Sequence, residues 1–328
     1  MLILSRENIE QIYTMKDCLE DVEHVFREHM QGNVTTPVRT AVDHPKYDAT
    51  SLYMPSYLAS DDYVAVKIIS IFPQNHKHNI KSLQSVIVLT EAKTGQHVAM
   101  MDASLLTVMR TGASSGVATK YLATEDADSC AVLGCGAQSL GQIQAVMEVR
   151  ALRHIYLYNR TRAKADEMKQ SLQALYPDWH GDITVVENAD EAVSLARIVI
   201  CSTKATEPLF AASSLRPGTH INAIGAFLPH MREVDSATVQ ASKVVVDTLE
   251  GAEHEAGDLL IPIAKQEWSF DQLHAELGEI LIGQKPGREN NAEITLYKSV
   301  GVAYLDTAVA RTVYERAKAA GIGTEVSL

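Results

Sequence analysis

Gly134-Cys135-Gly136-Ala137-Gln138 joins a short apolar run that ends at Leu133 to an amphipathic segment carrying Ile143, Val146 and Met147. A second β-rich run, Ile155 to Tyr158, follows. Strand, glycine turn, helix and strand in that order make the half of a dinucleotide-binding fold that cradles a pyrophosphate. Gly134 permits the turn, and Gly136 lets backbone N–H groups approach a phosphate. The helix start near Ala137 and Gln138 adds its partial positive charge. The run departs from G-x-G-x-x-G at its third glycine, which is Ser139, with Gly141 the next glycine. The alternative reading is a glycine turn used only for helix–sheet packing.

The end of the second strand bears on which dinucleotide. Sites that prefer NAD place Asp or Glu about 20 residues beyond the glycines, where it holds the ribose 2′-hydroxyl. Here the sequence is Asn159-Arg160-Thr161-Arg162. Two guanidiniums and a hydroxyl suit a 2′-phosphate that a carboxylate would repel. NADP(H) is therefore the preferred cofactor, with NAD(H) possible; alternatively Arg160 and Arg162 are solvated residues at a helix start. Cys201-Ser202-Thr203 follows another apolar run, at the strand edge where such sheets bind ligands, so Ser202 and Thr203 join the cofactor candidates. Thr111 is placed to reach a phosphate or the substrate, or is a helix-face hydroxyl.

Three cations bear on the substrate. Lys67 lies in Tyr63-Val64-Ala65-Val66-Lys67-Ile68-Ile69-Ser70-Ile71-Phe72, where neither face of a strand is polar, so it is expected to be partly buried. A buried ammonium pairs with an anion or loses its proton more easily, and a lysine of lowered pKa can move protons. Arg110 is also set among apolar residues, and Arg39 follows Thr36-Pro37-Val38. From pattern alone each reads as a surface or snorkelling cation rather than a ligand, and the sequence does not bring the three together.

These residues need a scaffold. Apolar periodicity over residues 5–30 predicts a helix; the runs 51–54, 63–72, 84–90 and 97–101 predict an antiparallel sheet with a turn at Thr94-Gly95. A helix is expected from Ala103 to Tyr121. Beyond it, strands at 129–133, 154–158, 182–186, 197–201, 219–224 and 243–247 alternate with helices, which predicts a doubly wound parallel sheet of the Rossmann type. From 294 the pattern again reads as helix (Val300, Val302, Leu305, Val309, Val313). The fold expected is α/β: a Rossmann domain over 116–293 and a discontinuous α+β substrate-binding and dimerisation domain over 1–115 and 294–328. With 328 residues the chain is long enough for two such cores. A net charge of −12 with no basic stripe excludes nucleic acid. No apolar stretch reaches the roughly 18 residues a membrane span needs, and the N-terminus is no signal peptide. Cys18, Cys130, Cys135 and Cys201 lack metal-ligand spacing and read as reduced cytoplasmic thiols. The histidines, His44, His76, His78, His220, His230 and His254 among them, also lack it; no metal is expected. Asn75 and Gln84 are candidate pocket residues, and Asp306 reads as structural.

Taken together, Met54-Pro55-Ser56-Tyr57, Lys67 through Pro73-Gln74-Asn75, Arg110-Thr111-Gly112-Ala113, Gly134 through Gln138, Asn222-Ala223-Ile224-Gly225 and Ser299-Val300-Gly301 resemble the ornithine cyclodeaminase/μ-crystallin family nearly end to end. The resemblance implies a homodimer paired through the sheets of the first domains. It also implies Arg39, Lys67 and Arg110 converging on a substrate carboxylate.

The departures narrow the activity. Where cyclodeaminases of the family resemble one another in a Glu two residues before Met-Pro and an Asp after the Asn-Ala-x-Gly strand, this chain has Leu52 and Phe227. An enzyme that expels ammonia needs acid–base groups at the amine. Gly225-Ala226-Phe227-Leu228-Pro229-His230-Met231-Arg232-Glu233, and Lys298 before Ser299, resemble the ketimine reductase branch instead. The resemblance therefore implies NAD(P)H-dependent reduction of a cyclic ketimine carboxylate, Δ1-pyrroline-2-carboxylate or Δ1-piperideine-2-carboxylate, to L-proline or L-pipecolate, with Lys67 catalytic. The alternatives are an ornithine cyclodeaminase using Glu91, Asp102 or Glu233, an alanine dehydrogenase-like enzyme, and a non-enzymatic NADP-dependent ligand binder of the μ-crystallin type.

Overall fold

The computed structural model describes residues 1–327. The chain divides into two compact units, one formed by Met1–Arg110 with the segment from Val302 onward, the other by Thr111–Gly301.

In the first unit, strands Ala49–Leu58, Tyr63–Ile71, Leu83–Glu91 and His97–Asp102 each pair antiparallel with the next. Val34–Thr35 and Thr40–His44 pair with the first of them. The sheet is not wholly antiparallel, because Leu2–Leu4, too short to show a period, runs parallel to His97–Asp102. Residues 5–30 form two helices rather than one, Arg6–Ile12 and Met15–Met30, because Tyr13 leaves the first in extended backbone and Thr14 closes a capping box with Asp17 to start the second. Helix Ala303–Ala320 packs on the strands and on Met15–Met30, and ends where Gly321 takes a positive φ of 65°.

Register fixes which side chains this helix covers. Met54, Lys67, Ile87 and Met101 stand side by side across four strands, and all four are buried. The next row, Tyr53, Ile68 and Val86, faces the other way, and its outer members Tyr53 and Val86 are exposed.

The second unit is a parallel sheet in the order Asp182–Val185, His154–Tyr158, Ser129–Leu133, Ile198–Cys201, His220–Ala223, Ile294–Lys298, Ser242–Val246, Ala275–Glu276. Cys130 and Val132 belong to one core and Ala131 and Leu133 to another, so this strand is apolar at every position because both faces are covered. The chain runs outward from Ser129–Leu133 and then returns to its other side at Ile198–Cys201, creating a switch point at the carboxyl ends of these two strands.

One expectation is corrected here. Residues 294–298 are a strand inside the parallel sheet, not the start of a returning helix, which begins only at Ala303. Thr295, Leu296, Tyr297 and Lys298 are all buried, and a strand covered on both faces has no period of two to read. The return between units therefore falls at 301/302 rather than 293/294. The outward passage falls at 110/111, within helix Ala103–Leu122, rather than at 115/116.

Candidate active site

The glycine turn opens at the switch point of the second unit. Gly134 has φ +96°, and a β-carbon there would meet Thr203 Cγ2 at 2.6 Å, so only glycine fits. A β-carbon on Gly136 would meet nothing within 4 Å; the space over this exposed backbone is what a pyrophosphate needs and a side chain would fill. Ala137 is exposed and Gln138 is the N-cap of helix Ser139–Val149. Ser139, in place of the third glycine, is buried and donates its hydroxyl to the Gly136 carbonyl at 2.6 Å. The close approach a third glycine would provide is made two residues later, where a β-carbon on Gly112 would lie 2.2 Å from the Gly141 carbonyl oxygen. These features fit a dinucleotide.

Asn159 ties the second strand to the turn. Its Oδ1 accepts from the Cys135 amide at 3.0 Å, and its Nδ2 donates to the Thr161 carbonyl at 2.9 Å. Arg160 and Thr161 are exposed. Arg162 is engaged by Glu187, at the end of the neighbouring strand, a partner the sequence reading had not supplied. Ser202 donates to the Gly134 carbonyl at 2.9 Å. Thr203 donates through its amide (2.6 Å) and its hydroxyl (2.9 Å) to Glu233. Thr111 offers its backbone carbonyl to Gln142 Nε2 at 2.9 Å.

Glu233 is wholly buried and also accepts from the amides of Gly225 (2.7 Å) and Ala226 (3.2 Å), so it clasps the loops after two adjacent strands. Burial, and then the nearby Asp258, push its carboxyl up to about 7 against the opposing pull of Lys298. Lys298 pairs with Asp258 at 2.8 Å and donates to the Ala226 carbonyl.

In the first unit the structure gathers what the sequence did not. Lys67 Nζ donates to Asp306 Oδ2 at 2.5 Å, with both side chains buried. Arg110, 6% exposed, places Nε 3.2 Å from Asp306 Oδ1, an ion pair rather than a hydrogen bond. Arg39, on the segment before Thr40–His44, is half-buried and close enough to disfavour the charged form of Lys67. Burial first, and then Arg110, lower the Lys67 ammonium from its ordinary range to about 7, against the pull of Asp306. Lys67 and Arg110 are thus interior residues, not snorkelling ones. Asp306, which reads as structural in the sequence, meets two cations that lie 239 and 196 residues earlier in the chain.

Two pocket candidates lie elsewhere. Asn75 donates to the Lys81 carbonyl at 3.2 Å and lines a cavity of about 340 Å³ with Tyr47, Phe72 and Gln74; Gln84 is exposed. The acids that might have served a cyclodeaminase are committed: Glu91 accepts from Thr94, Asp102 from the Leu105 amide, and Glu233 holds its loops. Phe227 packs on the core. Among the described residues no helix is long and apolar enough to cross a membrane, and no group of three or more His, Cys, Asp or Glu could hold a metal ion.

Comparison with known proteins agrees with this layout. The chain is 37% identical over 329 residues to Delta(1)-pyrroline-2-carboxylate reductase of Bacillus cereus, covering 99% of each. The solved Thermococcus litoralis Delta(1)-pyrroline-2-carboxylate reductase, in complex with NADH and L-proline, is 41% identical with a TM-score of 0.95, over 99% of this chain and 100% of that one. An archaeal alanine dehydrogenase, a dimer with bound NAD, is 30% identical with a TM-score of 0.91, over 100% and 99%. A family model matches residues 1–321. With matching motifs, fold and full-length relatives, the chain belongs to the ornithine cyclodeaminase/mu-crystallin family.

Proposed function

We propose that this protein reduces a cyclic ketimine carboxylate, Δ1-pyrroline-2-carboxylate or its six-membered homologue, to the corresponding L-imino acid. The observation that carries the reading is the buried cation cluster: Lys67 and Arg110 held on one carboxylate, with Arg39 beside them. Guanidiniums receive a planar carboxylate bidentately. A nicotinamide held at the glycine turn would supply the hydride. Lys67, which changes charge near neutrality, supplies the proton to the imine nitrogen. The relatives with reductase names and full-length alignment support the same substrate class.

Purified protein given five- and six-membered ketimines with NADPH and NADH tests this directly. Oxidation at the no-substrate rate in all four combinations defeats it. An alanine dehydrogenase-like activity, favoured by the archaeal neighbour, would instead show as NADH oxidation dependent on pyruvate and ammonia.

Both nicotinamides are accepted on this reading, with NADPH favoured because no carboxylate stands at Asn159-Arg160-Thr161-Arg162 and Arg160 is exposed. Asn75, which lines a cavity with Tyr47 and Phe72, borders the substrate on this reading. A second copy of the chain covers the open sheet face, where Val42, Tyr53 and Val86 are exposed; a Tyr53→Lys variant sedimenting as a monomer would support this, and an unaltered dimer would oppose it. Four unbridged, buried cysteines fit a reducing, cytoplasmic setting.

A further inference from the structure

Lys67 stands in an apolar row, with Met54 and Ile87 as its cross-strand neighbours. The charged groups bearing on it come from three other segments: Arg110 from helix Ala103–Leu122, Arg39 from the segment before Thr40–His44, and Asp306 from helix Ala303–Ala320. Two of the three are cations. Burial and these cations lower the Lys67 titration to about 7 even with Asp306 opposing them; without that carboxylate it would fall further, and a deprotonated lysine has no proton to give. Asp306 is the only anion among these groups. It sits in the first turn of its helix, where the exposed backbone N–H groups favour a carboxylate. The adjacent Thr307 is fixed to the sheet by a hydrogen bond between its hydroxyl and that of Ser56.

We propose that Asp306 is the positioning residue of the site: it aims the Lys67 ammonium and keeps it protonated so that it can protonate the imine nitrogen. This rests on the ketimine reductase reading above. In the step, hydride from the reduced nicotinamide forms a C–H bond at the imine carbon and the C=N π pair takes a proton from Lys67. An Nζ–H bond breaks as the N–H bond forms, Lys67 is left as the neutral amine, and solvent returns its proton.

Charge counting makes the role distinguishable from carboxylate binding. Replacing Asp306 with Asn removes one negative charge and a neutral Lys67 removes one positive charge, so the net charge of the cluster is unchanged. Losing Asp306 should therefore cost turnover more than substrate affinity.

The experiment compares wild type with Asp306→Asn. NMR of protein carrying 13C-labelled lysine follows the Lys67 titration, with the signal assigned by its absence in Lys67→Met. NADH binding by fluorescence checks that the variant retains its fold. The expected results are a Lys67 titration lowered by about one pH unit or more, and a kcat that falls about tenfold at pH 8 but recovers below pH 6, with KM changed less than about threefold. A titration that does not move, or a kcat loss equal at every pH, overturns the proposal. If Asp306→Asn does not fold, Arg110→Gln serves. Removing the repelling guanidinium must then raise the Lys67 titration, and an unchanged value counts against the pairing. The NMR titration stands even if wild type reduces no ketimine, so failure of the activity reading and failure of this proposal are separable.

Discussion

Gly112 and Gly141 bring helices Ala103–Leu122 and Ser139–Val149 together backbone to backbone: a β-carbon on Gly112 would stand 2.2 Å from the Gly141 carbonyl oxygen and 2.4 Å from its carbonyl carbon. This contact does the packing that the glycine turn, with Ser139 at its third position, leaves undone. It yields to no side-chain rearrangement, because the obstacle is backbone.

Gly112→Ala should therefore destabilise the protein by about 3 kcal/mol or more, while Gly136→Ala, whose β-carbon enters open space, should leave the melting temperature nearly unchanged. The second variant should instead bind NADH about tenfold more weakly. Thermal unfolding and NADH fluorescence titration together check the pair; equal stability losses would refute the division of roles.

Lys67 gives turnover a pH dependence of known sign. Its ammonium is lowered to about 7, so the protonated fraction falls as pH rises through that value. With the ammonium as the proposed donor, kcat should fall on the alkaline side and level off on the acid side. Lys67→Met should cost about a hundredfold or more in kcat and abolish this limb. Its stability should hold, since Asp306 retains Arg110. A pH–rate profile with the limb intact in Lys67→Met would show that another group is titrating.

The buried pair of Lys298 and Asp258 behaves differently, because Glu233 lies in the same interior. Lys298→Met strands a buried carboxylate and should cost about 3–5 kcal/mol. Adding Asp258→Asn should return a substantial part of it, as coupled sites do. Urea unfolding of the single and double variants measures this, and strict additivity would contradict it.

Glu187 should set the balance between cofactors. It engages Arg162, the residue that on the proposed reading receives a 2′-phosphate. Glu187→Gln should raise the NADPH/NADH ratio of kcat/KM by about threefold to tenfold, and Arg162→Ala should lower it; the test is steady-state kinetics with both cofactors. No change in either variant would assign the discrimination to Arg160.

Much of the scaffold was legible because it depends on local sequence. Alternation exposed the meander strands, and short apolar runs between turns exposed most of the parallel sheet. Where both faces of a strand are covered, as at Ile294–Lys298, that signal vanishes and the segment reads as helix. Thr14, which splits the first helix, was visible only as a polar residue until its bond with Asp17 was seen.

By itself the sequence determined the glycine turn, the absence of a carboxylate after the second strand, and the types and apolar settings of Lys67 and Arg110. Backbone conformation and burial of a single segment follow from its own neighbours. Only the tertiary structure decided that Asp306 meets Lys67 and Arg110, that Gly112 meets Gly141, and that Glu187 engages Arg162. Charge state and close packing depend on what folding brings within a few ångströms, and sequence separation says nothing of that distance.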